Sequence, residues 1–227
     1  MLLVSLLVDV VPWLDSAGRQ FFTGLGLPPS EAAFLAYFAI QSLSGLGMII
    51  AIWLVVRIEQ PIDWKAFFTL DRVDWRGFWM VIVISGLLLA LDGWFLGSLV
   101  WEPVQTWLMN LGLWTGPSVP TAPPAYRWLN LIVLLLVSWI EIPEELYFRG
   151  YLQRQIAARK GALWGITLSL LLWDLWHLNN PAAFVRRFFV GLFSFALVVH
   201  KRGRVWGSML GHPVSNRLGV ILRLFRS

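Results

Sequence analysis

Two adjacent carboxylates and a guanidinium four residues on, Glu144-Glu145-Leu-Tyr-Phe-Arg149, stand directly after the apolar run Leu129 to Ile140. Ionisable groups beside a membrane-grade run are costly to desolvate, so such a cluster marks a functional site. A carboxylate so placed can act as a general base on water, provided a second group holds the water. The competing structural reading is that the run ends here and the charges sit among lipid headgroups. Two more clusters bear on the choice. His177 is isolated in an apolar stretch, with Trp173 and Asp174 one turn ahead of it. His212 and Asn216 are four apart and share one helical face. Two hydrogen-bonding side chains at that spacing could stabilise an oxyanion or ligate a metal. They could equally hold helices together, at roughly 1 kcal/mol.

The turn at Lys160-Gly161 offers a geometric test. Glu144 precedes it by about sixteen residues and His177 follows it by the same number. In an antiparallel helical hairpin, equal distance from the turn means equal depth, about 24 Å at a rise of ~1.5 Å per residue. Glu144 and His177 are therefore expected to face each other inside a bundle, able to polarise one water molecule between them.

The elements that must position these groups are membrane helices. The chain has 227 residues, 58% hydrophobic and 14% charged, with fifteen Trp. Soluble domains carry about a quarter charged residues, so the composition points to a polytopic membrane protein, all-α, with about six transmembrane helices (range five to eight) plus interfacial helices. The net charge of +5 sits mainly in loops beside apolar runs, the positive-inside pattern; it does not indicate nucleic-acid binding. No cysteine is present, which excludes disulfides, Cys-ligated metals and Cys nucleophiles.

Residues 1–14 lack the basic start of a signal peptide and read as an interfacial or partly inserted helix. Spans follow at about 32–56 and 77–99, the second carrying Asp92, with an amphipathic interfacial stretch over 57–76 between them. Asp92 either lines a cavity or is satisfied by a neighbouring helix. Residues 100–127, rich in Pro, Thr, Gly and Trp, read as an exposed loop. The remaining spans are expected at about 128–158, with Pro143 inside, then 162–178, 184–199 and 205–224. Residues 1–127 thus form an N-terminal membrane region and 128–227 a catalytic helical core, within one integrated bundle. Basic residues cluster in three loops, at Arg57 to Arg76, at Arg154 to Lys160 and at Lys201 to Arg204, which places those loops in the cytoplasm.

Taken together, the clusters resemble the CPBP (CAAX protease and bacteriocin-processing, or Abi) family of intramembrane proteases. Glu144-Glu145-x-x-x-Arg149-Gly150 matches its EExxxR motif. Trp173 to His177 falls on its FxxxH motif, with Trp in place of Phe. His212 and Asn216 match a third motif, His followed four residues on by Asn. The resemblance covers about 129–216. It implies an intramembrane endopeptidase in which Glu144 is the general base and His177 helps bind and orient the water. His212 and Asn216 would stabilise the oxyanion. Glu145 and Arg149, spaced i, i+4, form a structural ion pair that orients Glu144. Trp173 and Asp174 stand as candidate neighbours of His177, and Asp174 either fixes its tautomer or is a solvated or capping acid. Pro213 disfavours helical geometry at His212, so within the span at 205–224 the helix could start as late as Pro213, with His212 near its N-cap.

No cofactor is expected. The zinc motif HExxH is missing, and a divalent metal such as zinc, if used, would take Glu144, His177 and His212. The expected partners are membrane lipids and a membrane-associated or lipid-anchored protein or peptide; the expected location is a prokaryotic cytoplasmic (inner) membrane. Ser138, Ser169 and Ser215 have no partner set for a serine protease. The alternatives are a small proton-coupled transporter using Asp92, Glu144, Asp174 and His177, and a non-catalytic membrane scaffold. Glu141 has no assignment.

Overall fold

The computed structural model describes residues 2–58, 68–112, 140–177 and 184–224. Every regular element among them is helical. Much of the apolar run before Glu141, most of the stretch expected as loop over 100–127, the loop around Asn179-Asn180-Pro181 and residues 59–67 of the interfacial stretch lie outside the described residues. The helices are α1 (Leu2–Gly24), α2 (Pro29–Ile58), α3 (Trp75–Leu91), α4 (Glu102–Asn110), α5 (Glu141–Glu145), α6 (Gln153–Lys160), α7 (Ala162–Trp176), α8 (Phe184–Val190), α9 (Leu197–Arg202) and α10 (Trp206–Leu224). Three wider π-helical segments, Asp92–Trp101, Leu146–Leu152 and Gly191–Ala196, join α3 to α4, α5 to α6 and α8 to α9.

Among the described residues one helix, Pro29–Leu54, is long and apolar enough by itself to cross a bilayer. Trp75–Leu91 with Leu96–Asn110 meets the test as a pair bent by 65°. Ala162–Leu175 is a shorter apolar helix. Two sequence expectations change. α1 runs past Leu14 and through Gly18 to Gly24, and ends at the Gly24-Leu-Gly26-Leu-Pro28 stretch, where Gly26 takes a positive φ of 86°. The stretch expected as loop from Val100 is helical as far as Asn110, running through Pro103 at the start of α4 and ending where Gly112 takes a positive φ of 68°.

The described residues group into two compact units. In the first, comprising Met1–Gly47 and Val119–Ile140, a Cβ placed on Gly18 would come within 2.9 Å of Ala36 Cβ, so small residues bring α1 and α2 together there. Phe34 and Phe38 stack edge to face, 4.7 Å apart.

The second unit, Met48–Ser118 with Glu141–Ser227, contains the motif residues. Its closest helix crossing is α3 against α10. A Cβ on Gly207 would lie 2.5 Å from the Gly77 carbonyl carbon and 2.9 Å from the Phe78 nitrogen, and one on Gly211 would run into Val81. The glycines four apart on α10 let the two backbones touch. This packing overrides the local bias of Pro213: α10 begins at Trp206 and passes through His212 and Pro213 without ending. A start as late as Pro213 is therefore excluded.

α6 and α7 form the hairpin anticipated around Gly161, which adopts φ 90° while its N–H caps α6 by donating to the Ala157 carbonyl, 2.9 Å away. A Cβ on Gly165 would meet Ala157 Cβ and the Gln153 carbonyl oxygen at 2.6 Å, which sets how close the two arms lie.

The basic segments converge at one end of this unit. Arg154 donates to Thr69 Oγ1 at 2.9 Å and to the Gly203 carbonyl at 2.8 Å. Arg202 forks onto both oxygens of Asp74, at 3.0 and 2.7 Å, and Arg204 donates to the Arg72 carbonyl at 3.1 Å. The hydrogen bonds from Arg202 hold the Asp74 carboxyl below its ordinary value. Thr69 sits at φ 53°, a left-handed conformation costly for a β-branched residue; its hydroxyl is held by Gly203 and Arg154, and the adjacent Phe68 ring is buried with Ile52 and Val205.

Candidate active site

The two π segments lie beside the central ring of the site, Trp173. A π turn bonds each N–H five residues back: the Gln153 N–H donates to the Phe148 carbonyl and the Leu197 N–H to the Leu192 carbonyl. Glycine fits both segments into tight surroundings. A Cβ on Gly150 would stand 2.7 Å from the Phe68 ring, and one on Gly191 would stand 2.6 Å from Leu170 and 2.8 Å from Trp173. The first segment delivers Arg149 and the second Phe195, and both pack against Trp173.

Glu144 and Glu145, adjacent in α5, are both buried, and their environments differ. The Trp173 indole N–H donates to Glu144 Oε2 at 3.3 Å, and His177 Nε2 lies 3.8 Å from Oε1. This is the facing pair expected from the hairpin. The 3.8 Å gap is too long for a direct hydrogen bond and short enough for both atoms to contact one water molecule. His177 Nδ1 is 2.8 Å from the Trp173 carbonyl oxygen. A carbonyl only accepts, so Nδ1 carries a proton, and in the neutral form of the ring Nε2 turns its lone pair towards Glu144.

Glu145 faces the other way. Its Oε1 is 3.6 Å from Arg149 NH1 and 3.0 Å from His212 Nδ1, with both acid and guanidinium completely buried. Arg149 lies over the Trp173 ring, 4.5 Å from its centroid. A buried charge without a counter-charge is destabilising by several kcal/mol, so this Glu145, Arg149 and His212 set holds together as a unit. His212 rests against Phe195, ring centroids 4.4 Å apart. With Nδ1 committed to Glu145, Nε2 is the imidazole atom left to meet a substrate.

Asp174 is fully buried, and its Oδ1 accepts from Arg187 Nε at 2.9 Å. The same guanidinium donates to the backbone carbonyl of His177 at 2.8 Å. The acceptor that fixes the His177 tautomer is thus the Trp173 carbonyl, in place of the Asp174 carboxylate. Asp174 instead anchors the arginine that closes the end of α7. Asn216 is exposed, and its amide donates to Glu141 Oε1 at 2.9 Å; Arg217 donates to the same oxygen at 2.7 Å. Ser169 and Ser215 bond back to carbonyls three residues earlier, at 3.2 and 3.0 Å, and neither is near a base. Asp92 opens the π segment after α3.

Three contributors escaped the sequence reading. Arg187 and Arg217 are distant in sequence from their carboxylate partners and follow no motif. The Gly207-x-x-x-Gly211 spacing that sets His212 against α3 was a usable signal for close helix packing. Among the described residues no group of three or more His, Asp or Glu side chains is placed to hold a metal ion. Of Glu144, His177 and His212, the set a zinc ion would take, His212 gives its Nδ1 to Glu145 and keeps Nε2 open, an arrangement that suits a metal ligand as well as a hydrogen-bond donor.

Residues 125–218 match a family model described as type II CAAX prenyl endopeptidase Rce1-like. The matched stretch contains every motif residue named above. Comparison with curated proteins and with solved structures returns no match.

Proposed function

We propose that this chain, whose residues 125–218 match the Rce1-like CAAX protease family model, is a peptide hydrolase of the membrane that cleaves its substrate with a water molecule activated by Glu144. The observation that carries this reading is the pairing of Glu144 with a His177 whose Nδ1 proton is tied to the Trp173 carbonyl. Water bound between them donates one hydrogen to Nε2 and the other to the Glu144 carboxylate. As the oxygen attacks the scissile carbonyl, Glu144 takes the proton. It then delivers that proton to the departing amine nitrogen, so acid and base steps share one carboxyl. The oxyanion is met by the Asn216 amide and by His212 Nε2, its positive charge balanced by the Glu145 carboxylate. No metal ion enters this scheme.

The substrate in this reading is a membrane-associated or lipid-anchored protein or peptide, cleaved in a bundle of about six spans in a prokaryotic cytoplasmic membrane. The three basic segments that meet at Thr69, Asp74, Arg154 and Gly203 form its cytoplasmic face. The test uses purified protein in liposomes and a panel of quenched fluorogenic peptides, some with a prenylated cysteine near the C-terminus and some with an unmodified apolar segment. Glu144→Gln and His177→Ala should each lower kcat by about 10²- to 10⁴-fold while leaving the melting temperature near that of the parent. A Glu144→Gln protein that cleaves at the parental rate would overturn the assignment. Parent protein that leaves the whole panel intact would overturn the substrate class.

A further inference from the structure

Glu141 belongs to none of the three motifs, yet it lies one helical turn ahead of Glu144 and takes two donors on one oxygen. Asn216 Nδ2 is 2.9 Å from Glu141 Oε1 and Arg217 NH1 is 2.7 Å from it. We propose that Glu141 is a positioning residue for the oxyanion site: its carboxylate holds the Asn216 amide in one orientation, and Arg217 secures the carboxylate. This rests on the reading of Asn216 as an oxyanion donor given above.

The chemistry is asymmetric. An amide side chain can be turned over, exchanging its N–H₂ and C=O ends, and the turned form would present an acceptor to a developing negative charge. A carboxylate only accepts, so Glu141 admits only the nitrogen end of Asn216. One N–H is used on Glu141 and the second N–H of the same nitrogen remains as the donor. The restraint matters at this position because Asn216 is exposed, whereas Glu141 and Arg217 are largely enclosed, at 13% and 9% side-chain exposure. An exposed amide with no such tether would sample several rotamers, and each misplacement of about 1 Å can cost up to about 10²-fold in rate. Asn216 and His212 share one face of α10, so fixing the amide also fixes the distance between the two oxyanion groups.

The experiment is a double-mutant cycle in liposomes with the best-cleaved peptide of the panel, together with melting by Trp fluorescence. Glu141→Ala should lower kcat by about 10- to 100-fold with KM within about threefold of the parent. Asn216→Ala should lower kcat at least as far. The double variant should be no slower than Asn216→Ala alone, because without the amide there is nothing left for Glu141 to orient. Arg217→Met, which breaks the ion pair and spares the amide contact, should lower the melting temperature and cost less in kcat than Glu141→Ala. Multiplicative losses in the double variant would overturn the proposal, as would an Arg217→Met variant that reproduces the kcat loss of Glu141→Ala, since tethering of the helices would then be the cause. Unimpaired cleavage by Asn216→Ala would overturn the oxyanion reading itself and this inference with it. That result is distinct from an impaired Asn216→Ala with additive Glu141→Ala, in which the inference alone fails.

Discussion

Gly207→Ala tests how the site is held. The added methyl would sit 2.5 Å from the Gly77 carbonyl carbon, 2.8 Å from its Cα and 2.9 Å from the Phe78 nitrogen. All three are backbone atoms of a helix, so no side chain can turn aside. Relief to an ordinary contact of about 3.5 Å requires α3 and α10 to separate locally by roughly 1 Å. Overpacking of this kind costs about 1–3 kcal/mol. His212 lies five residues further along α10, and its bond to Glu145 is 3.0 Å long. A shift of that size carries the bond past hydrogen-bonding distance, at a further ~1.5–3 kcal/mol for a charged partner. Gly207→Ala should therefore lose about 2.5–6 kcal/mol in all, and its cleavage rate should fall about 10²-fold. Gly86→Ala is the internal control on the same α3 helix: nothing lies within 4 Å of the added methyl, so the change should be neutral or stabilising by up to ~1 kcal/mol. The readouts are thermal melting in detergent by Trp fluorescence and kcat on the quenched peptides. A Gly207→Ala protein that melts and cleaves like the parent would refute the claim that backbone contact between α3 and α10 sets the position of His212.

Trp173→Phe removes the N–H that reaches Glu144 Oε2 while keeping a ring under Arg149; kcat should fall about 3- to 30-fold, well short of the loss in Trp173→Ala. Arg187→Met frees the His177 carbonyl and strands the buried Asp174 carboxylate; it should cost about 3–5 kcal/mol in a chemical-denaturation titration, and Asp174→Asn introduced alongside it should recover part of that loss. Asp74 sits below the usual 3.8 because Arg202 hydrogen-bonds its charged form. A depressed folded value means the stabilisation is complete above the unfolded value and fades as pH falls from about 4 downward. Asp74→Asn should therefore lower the melting temperature at pH 7 and flatten its decline in acid; an unchanged acid limb would remove Asp74 from that role. Activity measured in excess chelator should match activity without it, and full loss restored by added zinc would overturn the metal-free scheme.

The depth argument around Lys160-Gly161 reached Glu144 and His177 because a hairpin of regular helices converts residue number into distance. It could not say which carboxylate His212 would meet. α5, a π segment and α6 succeed one another without a break, and wider turns change the direction in which each side chain points. Local rules also failed at Pro213, where sequence allowed a helix start and the Gly77/Gly207 contact decided otherwise. Asp174 looked like a partner for the imidazole because it is one turn away. The helix supplied the Trp173 carbonyl at that nitrogen instead, and an arginine from α8 claimed the acid. Long-range pairings such as Glu141 with Arg217 leave no local trace, since only the folded bundle brings α5 and α10 together.

The π segment Leu146–Leu152 holds one residue more than an ordinary helix needs for the same rotation. Removing one residue from it would let the backbone close into ordinary helix without exposing a single extra amide. α6 would keep its facing towards α7, and the change would fall inside the segment, on where Arg149 and Gly150 point. A homologue one residue shorter between Glu145 and Gln153 could thus keep the hairpin and lose the seat of Arg149 on Trp173. A gap there would mark an altered active site within an unaltered fold.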